Sequence, residues 1–246
     1  MKNYKLTLQY DGTKYNGWQR QGNTANTIQG KLNEIIGKYL GEEIDVAGSG
    51  RTDAGVHAYG QVANFKTEKC LNTEQLLKEL NQYLPHDIRV TAVEEVDERF
   101  HARLSAVSKT YEYVIDNGEV ADVFTRKYAW RIEESLNVGA MKTTSKHLLG
   151  THDYTSFCGN KKFKKSAVRT ITDITIEENN GKIRISYTGN GFLQNMVRIM
   201  TGTLVEVGLG KRQADTMQTI IEAKSRETAG MMAPPEGLFL KCVLYK

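Results

Sequence analysis

The chain has 246 residues, enough for one large domain or two small ones with separate cores. Its 39% hydrophobic and 25% charged residues are ordinary for a soluble globular protein; no apolar run approaches the roughly 20 residues that span a bilayer, and the start Met1–Thr7 lacks the apolar centre of a signal peptide. Three scattered cysteines (Cys70, Cys158, Cys242) without a CxxC pair argue against a zinc ribbon and point to a reducing, cytoplasmic compartment, while a net charge of +4 neither demands nor excludes nucleic acid.

Tyr4, Leu6, Leu8 and Tyr10 alternate with polar residues and predict a strand. Ile28, Leu32, Ile35, Ile36 and Leu40 follow helical spacing. Ile44 to Ala47 reads as a short strand feeding a glycine-rich run, and Gln61 to Phe65 as another strand. A second helix carries Leu76, Leu77, Leu80 and Leu84, is introduced by Asn72 as cap and is stopped by Pro85; a strand over Arg89 to Val96 follows. The order β-α-β-β-α-β is the split βαβ pattern.

The second half reads as a decorated copy. A strand runs from Thr110 to Asp116 with Tyr111 and Tyr113 on one face, and a helix is predicted over Leu136 to Leu149. Arg169 to Ile176 and Lys182 to Thr188 form a hairpin turning at Asn179-Asn180-Gly181. Helices follow over Phe192 to Val207 and Thr216 to Ala223, and Leu238, Leu240, Cys242 and Leu244 alternate in a last strand. The expected fold class is α+β: two ferredoxin-like (split βαβ, RRM-like) domains, 1–104 and 105–246, sharing a largely antiparallel sheet. Such sheets are common RNA platforms but host many activities.

The segment with the most chemistry is Gly48-Ser49-Gly50-Arg51-Thr52-Asp53-Ala54-Gly55. Its glycines permit tight turning and close approach of a ligand, and they place Asp53, flanked by Arg51, on a loop. By residue type alone this is a catalytic carboxylate, a structural turn with a surface ion pair, a phosphate cradle lacking the GxxxxGK[ST] pattern, or a metal site with Asp53 and His57 that lacks further ligands at a recognisable spacing. A phosphodiesterase using Asp53, His57 and His101 or His152 is the metal-dependent form of that last reading. The basic clusters Lys161, Lys162, Lys164, Lys165 with Arg169, and Arg126, Lys127 with Arg131, are either solvated loops or contacts to a nucleic-acid backbone.

The run Gly50-Arg51-Thr52-Asp53-Ala54-Gly55-Val56-His57-Ala58 resembles the signature of the bacterial tRNA pseudouridine synthase A (TruA) family. The resemblance extends in order through Tyr10-Asp11-Gly12-Thr13, Tyr15-Asn16-Gly17-Trp18-Gln19, Thr27-Ile28-Gln29-Gly30, Phe100-His101-Ala102-Arg103, Lys109-Thr110-Tyr111-Glu112-Tyr113, Phe192 to Arg198 and Ala233 to Leu238. It implies isomerisation of uridine to pseudouridine at positions 38, 39 and 40 of the tRNA anticodon stem-loop, by a cytoplasmic homodimer needing no cofactor and no metal, in a cleft between the domains. It implies Asp53 as the catalytic residue, Arg198 as its ion-pair partner, Tyr111 stacking on the target uracil, Arg51 filling the space of the extruded base or touching phosphate, and Leu238 packing on the flipped base. The rival of another class is a non-catalytic RNA-binding module; a synthase with a different RNA target is a further one.

Overall fold

The computed structural model describes residues 1–22, 24–160 and 166–246. The lysines Lys161, Lys162, Lys164 and Lys165 lie outside the described residues. The fold is mixed α+β with ten strands among the described residues, and the chain divides into two compact units: Met1–Val107 with Phe239–Lys246, and Ser108–Leu238. The terminal residues Phe239–Lys246 pack into the first unit.

The first unit is built from β1 (Lys2–Tyr10), α1 (Ile28–Leu40), β2 (Ala47–Gly48), β3 (His57–Thr67), α2 (Thr73–Tyr83) and β4 (Ile88–Val96). β1 pairs antiparallel with β3 on one side and β4 on the other, and β2 pairs antiparallel with β3, giving the order β4-β1-β3-β2. The alternation read in β1 has its physical cause here: Tyr4, Leu6, Leu8 and Tyr10 are all buried, as are the stripe Ile28, Leu32, Ile36 of α1 and Leu76, Leu80 of α2. Both helices start on side-chain caps, Thr27 accepting from the Gly30 N–H and Asn72 from the Gln75 N–H, each worth about 1 kcal/mol. Gly41, left-handed at φ 69°, ends α1.

The second unit holds β5 (Ala106–Asp116, from Ser108 onward), β6 (Trp130–Arg131), α3 (Val138–Ser145), β7 (Gly150–Asp153), β8 (Val168–Asn179), β9 (Lys182–Gly189), α4 (Met196–Gly208) and α5 (Thr216–Ala223). β5, β9, β8 and β7 pair antiparallel in that order, and β6 runs parallel to the end of β5. The β8–β9 hairpin turns at Asn180 (φ 49°) and Gly181 (φ 70°), the two left-handed residues a tight hairpin of this twist needs. The helix expected over 136–149 is shorter: α3 ends at Ser145, a 3-10 turn covers Lys146–Leu148, and Gly150 at φ 101° swings the chain into β7 against β8. Edge pairing to β8 outweighs the helical spacing there.

β10 (Leu238–Tyr245) closes the chain. Phe239 and Leu240 pair parallel with His57 and Ala58 of β3. The Phe239 ring stacks on His57 (4.7 Å) and Tyr59 (4.6 Å). The far end is anchored by Tyr245, whose hydroxyl donates to the Ala102 carbonyl (2.7 Å) and whose ring meets Phe100 (5.0 Å). Ala102 in turn donates its N–H to Asn64 (2.8 Å), so the Phe100-His101-Ala102-Arg103 segment acts as an anchor for β10.

Candidate active site

Asp53 is half-buried, between exposed Arg51 and exposed Ala54. The backbone carrying it is clamped from several directions. The Thr52 carbonyl accepts the Trp18 N–H (3.0 Å), the Asp53 carbonyl accepts the Val56 N–H (3.2 Å), and the Gly55 N–H donates to the Tyr15 carbonyl (3.3 Å). Gly55 itself turns at φ 78°. The Thr52 hydroxyl bonds to the Tyr10 hydroxyl at 2.8 Å, and the Gly50 carbonyl accepts from the Gln61 side chain at 3.0 Å.

Packing explains the Tyr10-to-Gln19 segment. A methyl group on Gly12 would lie 2.0 Å from the Val56 carbonyl oxygen, and one on Gly17 (φ 85°) would lie 2.6 Å from that of Thr52. On Gly48 it would strike the Trp18 ring at 2.4 Å. At Gly12 and Gly17 two stretches of backbone touch with no room for a side chain, and at Gly48 the indole takes that space. Gln29, in the first turn of α1, fastens the same region by accepting from the Gln19 side chain and the Arg20 N–H and donating to the Val46 carbonyl.

His57 is buried, and its Nδ1 accepts the Gly12 N–H (3.0 Å) with the Asp11 carboxylate 3.1 Å away. Its place is in packing the turn that backs the Asp53 loop. Among the described residues, no group of three or more His, Cys, Asp or Glu is placed to hold a metal ion.

Tyr111, Arg198 and Leu238 all belong to the second unit. Tyr111 lies opposite Tyr187 in β5, is 8% exposed, and meets Phe192 edge-on at 5.2 Å. Tyr113, two residues on, is fully buried, and its hydroxyl donates to the Pro234 carbonyl at 2.7 Å. Burial pushes that phenol well above its usual range, so it stays a donor. A Cβ on Gly237 would come within 2.7 Å of the Tyr113 ring, so the Pro234-to-Leu238 turn is moulded on this tyrosine.

Arg198 sits in the first turn of α4, a helix buried on nearly every face. Its Nε donates to the Ala233 carbonyl (2.7 Å), and the Ala233 N–H donates back to the Arg198 carbonyl (3.0 Å). The guanidinium therefore holds the segment leading to Leu238, which is itself buried at the start of β10. The helix expected from Phe192 starts at Met196: Asn195 adopts φ 60°, and its side chain packs where a Cβ on Gly159 would sit 2.2 Å away. Phe192–Asn195 is a turn that delivers Arg198.

Of the second basic cluster, Arg126 is exposed, with one terminal N–H donating to the Val123 carbonyl (2.5 Å). Arg131 is committed to Asp116 (3.4 Å) and the Gly118 carbonyl (2.6 Å), which makes it a loop anchor. Tyr10 and Gln61 belong to the framework of the Asp53 loop in the first unit, and Ala233 to the seat of Arg198 in the second, although no role attaches to them in the linear sequence. A buried hydroxyl in an alternating strand and an amide in an apolar one are the only local signals.

The first unit thus presents a carboxylate on a clamped glycine-rich loop, and the second unit holds a buried arginine in α4 and an aromatic on β5. A family model described as tRNA pseudouridine synthase matches residues 7–104 and 144–246. The chain is 49% identical over 243 residues to tRNA pseudouridine synthase A 2 of Bacillus cereus, covering 99% of both chains. It is 49% identical over 245 residues to tRNA pseudouridine synthase A of a Bacillus species and 46% identical over 245 to that of a Thermoanaerobacter species, covering all of each. The chain belongs to the tRNA pseudouridine synthase A family and is an isomerase of that type. No helix of the described residues is long and apolar enough to cross a membrane.

Proposed function

We propose that the enzyme isomerises uridines 38, 39 and 40 of the tRNA anticodon stem-loop, as a cytoplasmic homodimer, with Asp53 as its catalytic residue. The observation that carries the assignment of Asp53 is its half-exposed carboxylate on a loop whose backbone is bonded at residues 50, 52, 53 and 55. Catalysis at a sugar carbon needs a carboxylate held within a fraction of an ångström, and this loop spends its hydrogen bonds on that.

The reaction breaks the N1–C1′ bond, turns the uracil, joins C5 to C1′ and moves the C5 proton to solvent while N1 gains one, so product and substrate are isomers. Asp53 acts at the sugar, as nucleophile at C1′ or as base toward a sugar proton. A primary isotope effect on deuterating C2′ assigns the base, and its absence assigns the nucleophile. Arg198 serves as the ionic partner of Asp53. Its Nε bond to Ala233 orients the fork so that the terminal N–H groups are the ones offered. Tyr111 stacks on the uracil and confines it while detached, and Leu238 packs on the extruded base. Arg51 occupies the vacated stack or contacts phosphate, and Arg126 with Lys161, Lys162, Lys164 and Lys165 holds the RNA backbone.

The strand order β4-β1-β3-β2 supports reading the first unit as a ferredoxin-like domain, with a second such domain over most of the remainder and the site in a cleft between them. The decisive experiment is incubation of unmodified tRNA with wild type and Asp53→Asn, followed by nucleotide-resolved mapping of pseudouridine. The expected result is undiminished tRNA binding with no pseudouridine in the variant; product at the wild-type rate would remove the catalytic role from Asp53, and no product from wild type either would return the chain to the binding-module reading. Neutralising Arg126 together with the 161–165 lysines is expected to weaken tRNA binding and flatten its salt dependence.

A further inference from the structure

The interior behind the Asp53 loop holds a chain of polar side chains where apolar ones would fit. Ser49 donates its hydroxyl to the Gln61 Oε1 at 2.7 Å. The Gln61 amide nitrogen donates to the Gly50 carbonyl at 3.0 Å and to the Tyr10 hydroxyl at 3.4 Å. The Tyr10 and Thr52 hydroxyls bond to each other at 2.8 Å. Tyr10, Ser49, Thr52 and Gln61 are all buried. Burial pushes the Tyr10 phenol up to about 12, so it keeps its proton throughout the working range.

Burying an amide and three hydroxyls gains little stability over well-packed hydrophobic groups, because each polar atom must recover its lost hydration. What this chain supplies is direction. It grips the Gly50 carbonyl on one side of Arg51 and the Thr52 hydroxyl on the other, the two residues that flank the approach to Asp53.

We propose that Tyr10 and Gln61 are positioning residues for the isomerisation: through Gly50 and Thr52 they set the backbone that aims the Asp53 carboxylate, and they act on the substrate only through that loop. The inference rests on Asp53 being the catalytic residue.

Single-turnover pseudouridine formation on unmodified tRNA, tRNA dissociation constants and urea unfolding are measured for wild type, Tyr10→Phe, Gln61→Glu and Asp53→Asn. Tyr10→Phe removes one oxygen and keeps the ring against Trp18. It is expected to slow the single-turnover rate about tenfold with tRNA affinity within about twofold, the signature of a misaimed group on an intact binding surface. Gln61→Glu places a carboxylate oxygen against the Gly50 carbonyl and is expected to be slower still at pH 8. Burial raises the glutamic acid's pKa, so its O–H replaces the lost N–H donor as pH falls, and the variant recovers relative to wild type toward pH 6. A role limited to stability would let the urea midpoint recover toward pH 6 while the rate of the folded variant stayed at the wild-type value throughout. A wild-type rate in Tyr10→Phe beside an inactive Asp53→Asn overturns the inference, as does a Gln61→Glu deficit independent of pH. Should Gln61→Glu fail to fold, the single-oxygen change in Tyr10→Phe decides alone. Activity in Asp53→Asn is a different result, which overturns the catalytic assignment of Asp53 itself.

Discussion

Replacing Gly17 with alanine tests whether the Tyr15-to-Gln19 segment exists to hold the Asp53 loop. The added Cβ would lie 2.6 Å from the Thr52 carbonyl oxygen, 3.1 Å from the Asp53 carbonyl carbon and 3.2 Å from the Ala54 nitrogen. Ordinary contact begins near 3.4 Å, so the Thr52 peptide must retreat by roughly 0.8 Å or the strand must move. That retreat loosens the Trp18 N–H bond to the same oxygen, at a cost of about 1 kcal/mol. Alanine at φ 85° adds about 1–2 kcal/mol of backbone strain. The sum is a destabilisation of about 2–3 kcal/mol, read as a lower urea midpoint at unchanged slope. A displacement of that size at Asp53 is expected to reduce the single-turnover rate by about one to two orders of magnitude. Gly22→Ala is the matched control, since its added methyl meets nothing within 4 Å. If Gly17→Ala proved as stable and as fast as Gly22→Ala, the close approach would have no bearing on the loop and the reasoning would be refuted.

Arg198→Lys keeps the charge but removes the planar fork and the Nε donor to Ala233, so turnover is expected to drop more than about tenfold with a stability loss of about 1–2 kcal/mol; near-normal kinetics would show that charge alone suffices. Tyr111→Phe retains the edge-on contact with Phe192 and is expected to bind tRNA normally while turning over slowly; full activity would leave only the stacking role. Alkaline titration is expected to destabilise the fold above about pH 10. Tyr10, Tyr113, Tyr154, Tyr187 and Tyr245 are all raised by burial, so the folded state holds their protons more tightly than the unfolded chain. Their contribution is complete below the unfolded value and is lost as pH rises through the folded ones, with a slope of about 1.4 kcal/mol per pH unit for each phenol. A urea midpoint constant from pH 8 to 11 would contradict their burial.

Periodicity identified elements wherever one face is buried and the other is wet. β1 alternates because its inner residues are buried, and α1 and α2 announce themselves through caps and a three-to-four spacing. The same logic misplaced the start of α4, because Phe192 to Asn195 continues the apolar pattern while Asn195 turns left-handed to set Arg198. β6 and β7, of two and four residues, lack the length for any pattern to show; pairing with β5 and β8 makes them strands.

Residue type and local order alone determined that Asp53 stands on a tight glycine-rich turn, and ordered resemblance along the chain determined the family. Tertiary structure alone decided why that turn is rigid. The oxygens and amides that grip it come from Tyr10, Tyr15, Trp18 and Gln61, up to 43 residues away in sequence, counting from Tyr10 to Asp53. The terminal residues Phe239–Lys246 likewise join the first unit because β3 offers an unpaired edge at His57 and Ala58 beyond the reach of β2, whose pairing is confined to Ala63 and Asn64. Hydrogen-bond partners over such separations leave no periodic trace, since a buried amide in a strand reads the same whether it holds a loop or faces solvent.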